Sequence, residues 1–181
     1  MSKVWGIIGS VFLAFNFMPS LSPFFTIFGY VSLGIALAFY SEDNEKIFNY
    51  FLIGAMLSFI ASVLFYFKLF AVLTSLIFSV FSSNPLIPIT FSVVLYFGVY
   101  YIFLVLSAVY FQKSFSILSE TTNNRYFKLG GNFLIAGAVL SIFAIGFIIT
   151  VIGWILVLIG FVTLEEIVDA EIIEQEKLPK N

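Results

Sequence analysis

The charged residues of this chain sit in a few tight clusters, and between them run stretches of almost pure Phe, Ile, Leu, Val, Gly and Ala. The acids are Glu42, Asp43, Glu45 and Glu120, with a tail group of Glu165, Glu166, Asp169, Glu171, Glu174 and Glu176. The bases are Lys3, Lys46, Lys68, Lys113, Arg125, Lys128, Lys177 and Lys180. With 10% of residues charged and 61% hydrophobic, against about a quarter charged in a soluble domain, the chain reads as an integral membrane protein. Long unbroken apolar runs favour helices over the alternating segments of a barrel. The expected fold class is all-α, a polytopic membrane helix bundle.

A crossing takes about 20 apolar residues. The runs predict six transmembrane helices in a single membrane domain over 1–181, at about 4–18, 24–40, 47–67, 86–111, 127–145 and 147–164. Pro19 and the Ser20–Pro23 stretch end the first, and Asn84-Pro85 opens the fourth. Gly146 is the expected turn between the fifth and sixth. No small-x-small cleavage site follows the first apolar run, so it reads as a span and not as a secretory signal. Residues 165–181 read as a solvated, acidic cytoplasmic tail.

The stretch 69–81 is too short to cross and carries Ala71, Ser75, Ser79 and Ser82 on one helical face, so it reads as an interfacial helix or partial re-entry. Topology supports that reading. Six spans with both termini cytoplasmic place every base except Lys68 inside, whereas a seventh would export Lys113, Arg125 and Lys128. The expected location is the cell membrane, multi-pass.

Little is left for chemistry. With no Cys and no His, thiolate chemistry and the commonest metal ligand are both missing. A net charge of −2 argues against nucleic acid. No Asp, Glu, Lys or Arg falls in the bilayer core, which speaks against a pump. No catalytic, cofactor-binding or metal-binding residue is assigned, and no cofactor is expected. A divalent site of Glu42, Glu120 and Glu166 is the one metal arrangement the clusters allow, and ordinary pairing with the nearby bases is preferred to it.

The two ends of the chain superpose at the constant offset that carries Gly6 onto Gly130. The same offset carries Ala14 onto Ala138, Gly29 onto Gly153, Tyr30 onto Trp154, Ala36 onto Gly160 and Glu42 onto Glu166. Two related hairpins flanking a central pair of helices are expected from it.

Phe115 to Phe161 holds Leu118-Ser119-Glu120, Thr122, Phe127, Gly131, Gly137-Ala138, Gly146-Phe147 and Trp154-Ile155-Leu156. In their order these elements resemble a family of short, mostly archaeal multi-span proteins catalogued as domain of unknown function 996. The amino-terminal glycine-rich span and the Ser41-Glu42…Ile47-Phe48 link resemble it too, while about 68–100 matches nothing recognisable. The resemblance implies a membrane protein and carries over no site residues.

Glycine spacing is the sharpest remaining feature. Gly130, Gly137 and Ala144, and likewise Gly146, Gly153 and Gly160, recur every seventh residue; Gly29 and Ala36 form a shorter stripe. Seven residues return a helix to nearly the same face, and small residues let helices approach closely in lipid. These stripes are expected to pack helices together, or to dock a second polypeptide. Asn16, Asn49 and Asn132 are the polar residues in or near spans and are expected to bond neighbouring helices. Lys113–Arg125 reads as an amphipathic helix with Phe115, Ile117 and Leu118 buried, and Lys113, Arg125 and Lys128 face anionic headgroups. Tyr100 and Tyr101 fall near mid-span, where each hydroxyl needs an acceptor.

The reading that follows is a non-catalytic accessory or scaffold subunit of a larger membrane assembly, partnered by lipids and other membrane subunits. A passive carrier or channel for an apolar or neutral solute is the alternative.

Overall fold

The computed structural model describes residues 1–15, 22–42, 44–79, 86–143 and 145–164, with the backbone alone considered at 22, 67–79 and 86–96. Among these the chain is helical throughout, with no strand: α1 (Ser2–Ala14), α2 (Ser22–Tyr40), α3 (Lys46–Ser79), α4 (Leu86–Thr121), α5 (Arg125–Val139), a 3-10 turn (Leu140–Ile142) and α6 (Ile145–Val162). Four helices are long and apolar enough to cross a membrane, at Pro23–Tyr40, Lys46–Tyr66, Phe97–Thr121 and Ile145–Val162. The other two are shorter, 13 residues in α1 and 15 in α5. Each short helix lies against a full one, α1 on α2 and α5 on α6.

Consecutive helices are neighbours in space, and α1 also meets α6, so the six close into a ring. The Lys3 ammonium donates to the Leu164 carbonyl at 2.7 Å, which puts the start of α1 and the end of α6 at the same end of the bundle. The amino-terminal turn of α1 meets the end of α2 there as well, through Ser2 and Tyr40.

The central pair, α3 and α4, is fastened by two serines. Ser107 donates to the Gly54 carbonyl at 2.8 Å and Ser114 to the Ile47 carbonyl at 2.7 Å, both buried. The donors are two turns apart on one helix and the acceptors two turns apart on the other, so one antiparallel register satisfies both. A hydroxyl buried in an apolar bundle needs such an acceptor, and a backbone carbonyl of the neighbouring helix supplies it.

The turn from α4 to α5 is built by two asparagines. Asn123 takes a positive φ of 50°, the left-handed conformation that Asn tolerates better than most residues, and the Asn124 N–H bonds Ser119 O at 3.1 Å to close α4. The Asn124 side chain then accepts from the Tyr126 N–H at 3.1 Å and caps α5.

Several boundaries differ from those expected. The segment expected as an interfacial helix at 69–81 continues α3 without a break as far as Ser79; residues 80 and 81 lie outside the described residues. Lys68 is a good helix former and no Gly or Pro surrounds it, so nothing interrupts the helix there. The amphipathic stretch from Lys113 likewise continues α4 to Thr121. The turn before α6 is made by the 3-10 turn and an extended Phe143 (φ −101°, ψ 138°), a conformation open to any residue. Gly146 therefore lies inside α6, pressed on the Leu140 carbonyl group and the Ser141 amide.

Candidate functional site

The candidate site is the set of surfaces by which the hairpins pack, because the described residues bring together no group of three His, Cys, Asp or Glu. Glu42 and Glu120 are exposed, and Glu165 and Glu166 lie outside the described residues.

Glycine brings the backbones together. A Cβ built on Gly130 would lie 2.7 Å from the Val157 side chain and 3.0 Å from the Gly153 carbonyl oxygen. On Gly137 it would strike Thr150 and lie 2.9 Å from Gly146 O, on Gly153 it would lie 3.0 Å from Leu134, and on Gly160 2.8 Å from the Phe127 ring. At Gly130, Gly137 and Gly153 the atoms met include main chain of the facing helix, so a side chain there would push α5 off α6. In the other hairpin, a Cβ on Gly9 would lie 2.6 Å from Leu33 N and 2.8 Å from Gly29 O, and one on Gly29 would lie 2.6 Å from Leu13. Ala36 is wholly buried in the core.

These contacts match in pairs: Gly9 on Gly29 and Leu33, Gly130 on Gly153 and Val157; Leu13 on Gly29, Leu134 on Gly153. Gly29 and Gly153 stand at the offset read from sequence, whereas the glycine of α1 that meets this level is Gly9 and not Gly6. Gly6 has another task, since a Cβ there would run into the Phe161 ring where α1 meets α6. Glycines at 6 and 9 lie on neighbouring parts of one helical face, and spacing alone did not separate them.

Each hairpin presents an aromatic residue, next in chain to a seam glycine, to the central pair. Tyr30 follows Gly29 and stacks on Phe111 at 5.5 Å; Trp154 follows Gly153 and meets Phe111 edge-on at 5.7 Å. Phe51 and Phe115 complete the junction, 5.5 Å and 6.4 Å from Phe111. The Tyr30 hydroxyl shares a 2.7 Å hydrogen bond with Ser58. Rings from α2, α3, α4 and α6 thus fill the middle of the bundle.

Over this same stretch, residues 25–155 match the family model described as protein of unknown function (DUF996), well over half of the chain. The chain belongs to this family. No curated protein and no solved structure matches it. The DUF996 match opens just before Tyr30 and closes just after Trp154, so it takes in the whole aromatic junction. It also runs through 68–100, where residue patterns alone carry no recognisable resemblance, and it leaves out α1.

The polar residues of this DUF996 protein are placed as follows. Asn132 is exposed on α5 and its side-chain oxygen accepts from Gln112 at 3.3 Å, while Gln112 also reaches Ser116 at 3.0 Å. Asn49 is exposed in the first turn of α3, and Asn16 lies outside the described residues. Tyr101 donates to Val139 O at 2.8 Å, and Tyr100 packs on Phe65 at 5.6 Å. Sequence reasoning missed Asn124, whose amide nitrogen bonds Gly160 O at 3.0 Å and Thr163 Oγ1 at 2.9 Å. It ties the α4–α5 turn to the end of α6, where carbonyls lack helical partners. The Asn-Asn pair beside an arginine was the visible signal.

Proposed function

We propose that this protein is a non-catalytic accessory or scaffold subunit of a larger assembly in the cell membrane of an archaeon, with both ends of the chain in the cytoplasm. The observation that carries the reading is the length of the central pair. Tyr101 bonds the last residue of α5, yet α4 continues beyond that level to Leu86 and α3 continues past Phe65 to Ser79. At 1.5 Å per residue the 34 and 36 residues of these helices measure about 51 and 54 Å, against a hydrocarbon core of about 30 Å. The extension past α5 is about 20 Å, and between Lys68 and Tyr100 it carries no charge other than Lys68 itself. An apolar helical arm of that length calls for cover, and a membrane subunit beside it provides cover at the right height.

The test is extraction in a gentle detergent followed by identification of whatever is recovered in fixed ratio. Replacing 69–92 with a short polar linker should release the partner while the ring of six helices remains monodisperse. Recovery of the intact protein as a partner-free monomer counts against the proposal.

A passive carrier for a neutral solute is the second reading. It is favoured by the matched contacts of the two outer hairpins, which we read as an internal repeat around α3 and α4. The stacked rings at the junction weigh on the other side. Solute flux into reconstituted vesicles, lost when Trp154 or Tyr30 is replaced, would promote it over the first.

A further inference from the structure

Lys113 belongs neither to the glycine seams nor to the aromatic junction. It lies toward the end of the α3–α4 pair where Lys46 opens α3, and it is exposed. Its ammonium sits 5.3 Å from the centre of the Tyr110 ring and 5.7 Å from that of Tyr50, and the two rings are 6.1 Å apart. One phenol comes from each helix, so the cation is held across the seam between them. The sequence suggested pairing with nearby carboxylates; among the described residues none pairs with Lys113. A ring face attracts a cation without neutralising it. The charge is therefore positioned by the two rings and not neutralised by them. Lys46 stands one helical turn from Tyr50 and adds a second positive charge to the same face.

Along the same seam, away from this end, the surface turns apolar. Ile102, Leu106, Tyr110 and Lys113 recur at helical spacing on α4, and Ile53 follows Tyr50 on α3. Ile102, Leu106 and Ile53 are 58%, 43% and 39% exposed. Cation, then phenols, then branched aliphatics is the vertical order of a phosphate, a glycerol backbone and a hydrocarbon chain at a membrane interface.

We propose that the α3–α4 seam binds one anionic phospholipid, with its phosphate on Lys113 between Tyr50 and Tyr110 and its chain along Ile53, Leu106 and Ile102. A free phosphate ion would use the cation and leave the aliphatic stripe idle. A zwitterionic lipid would use the stripe, but its own ammonium would compete for the phosphate. The inference does not depend on the subunit reading above.

Native mass spectrometry of delipidated protein tests it, with dioleoylphosphatidylglycerol, dioleoylphosphatidylcholine and inorganic phosphate as probes. The expected result is one phosphatidylglycerol retained about fivefold more tightly than phosphatidylcholine, the size of effect one lysine has at a charged surface. Lys113→Gln should remove that preference and Lys113→Arg should keep it. Leu106→Gln, on an exposed position, should weaken retention of both lipids, and it carries the test if Lys113→Gln does not fold. Equal retention of the two lipids by the native protein would overturn the proposal. So would an undiminished preference in Lys113→Gln, an unchanged Leu106→Gln, or displacement of phosphatidylglycerol by inorganic phosphate at equal concentration.

Discussion

The α1–α2 and α5–α6 hairpins solve the same packing problem with different amounts of backbone contact. Both place a glycine of the short helix against a glycine carbonyl of the long one, Gly9 on Gly29 and Gly130 on Gly153, and both present an aromatic ring to Phe111. In α5–α6 close approach recurs along the helices, at Gly160 on Phe127, Gly130 on Gly153 and Gly137 on Gly146. In α1–α2 the described residues show it at the level of Gly9, with Leu13 filling the next turn over Gly29 as Leu134 does over Gly153. The carboxy-terminal hairpin is thus held by main chain at two levels, Gly130 on Gly153 and Gly137 on Gly146, while the amino-terminal one has a single such level among the described residues and leans on α6 through Gly6 and Phe161. A seam of main chain tolerates no added carbon, whereas a seam of side chains can repack.

The largest effect should come where the hairpins meet the centre. Trp154→Ala removes a ring in contact with Phe111, Phe115 and Tyr30, and should cost about 3–5 kcal/mol. Tyr30→Ala, in the other hairpin, should cost less, because Phe51 remains beside Phe111 to close part of the gap. Reversible unfolding in mixed micelles measures both. A larger loss from Tyr30→Ala would make the amino-terminal hairpin the keystone and reverse the ranking of the two.

Next come the seams themselves. Gly137→Leu must force α5 from α6 at Thr150 and the Gly146 carbonyl, and should destabilise by about 3 kcal/mol, the upper end of overpacking costs. Gly9→Leu meets Leu33 and Gly29 at a single level and should cost nearer 1–2 kcal/mol, because only one turn of the seam has to give. Equal costs would show that the amino-terminal seam is as rigid as the other.

A smaller loss is expected from Asn124→Ala, about 1–2 kcal/mol, the ordinary cost of a lost helix cap. Its hydrogen bonds to Gly160 and Thr163 make the effect specific to the carboxy-terminal hairpin. Amide exchange should therefore quicken at the ends of α5 and α6 and stay unchanged in α1 and α2. Uniform quickening over all four helices would mean that the cap serves the whole ring.

Much of this arrangement was legible from residue spacing, and the parts that were not have identifiable causes. Apolar runs bounded by Pro, Gly and charge gave the helices, and seven-residue glycine spacing marked the positions where α5 meets α6. Spacing could not choose between Gly6 and Gly9, since only a neighbouring helix distinguishes two small residues on adjoining parts of one face. A charge at Lys68 reads as an interface by hydropathy, whereas a lone lysine continues a helix as readily as it ends a span. The last turn reads as Gly146 for the same kind of reason, although the chain turns on a 3-10 segment and an extended Phe143 and uses that glycine for contact. The Tyr50–Lys113–Tyr110 group depends on the register of α3 against α4, which two buried serines set and which no local pattern encodes.

The smallest predicted effect tests whether every glycine of the amino-terminal hairpin is there for contact. At Gly34 an added Cβ would lie 3.5 Å from the Phe51 ring, an ordinary van der Waals distance, and the residue standing at the matching place in α6 is Leu158. Gly34→Ala should therefore be tolerated, unlike any change at Gly9 or Gly29. Its benefit depends on what the unfolded chain looks like. Heating that unwinds the helices should show a gain of about 0.4–1 kcal/mol, because alanine has less backbone freedom to lose. A denaturant that separates the helices without unwinding them leaves that freedom spent on both sides, so the gain there should fall close to zero. Destabilisation in both measurements would mean that α2 approaches α3 more tightly than the Phe51 distance implies, and the contrast between the two hairpins would then narrow.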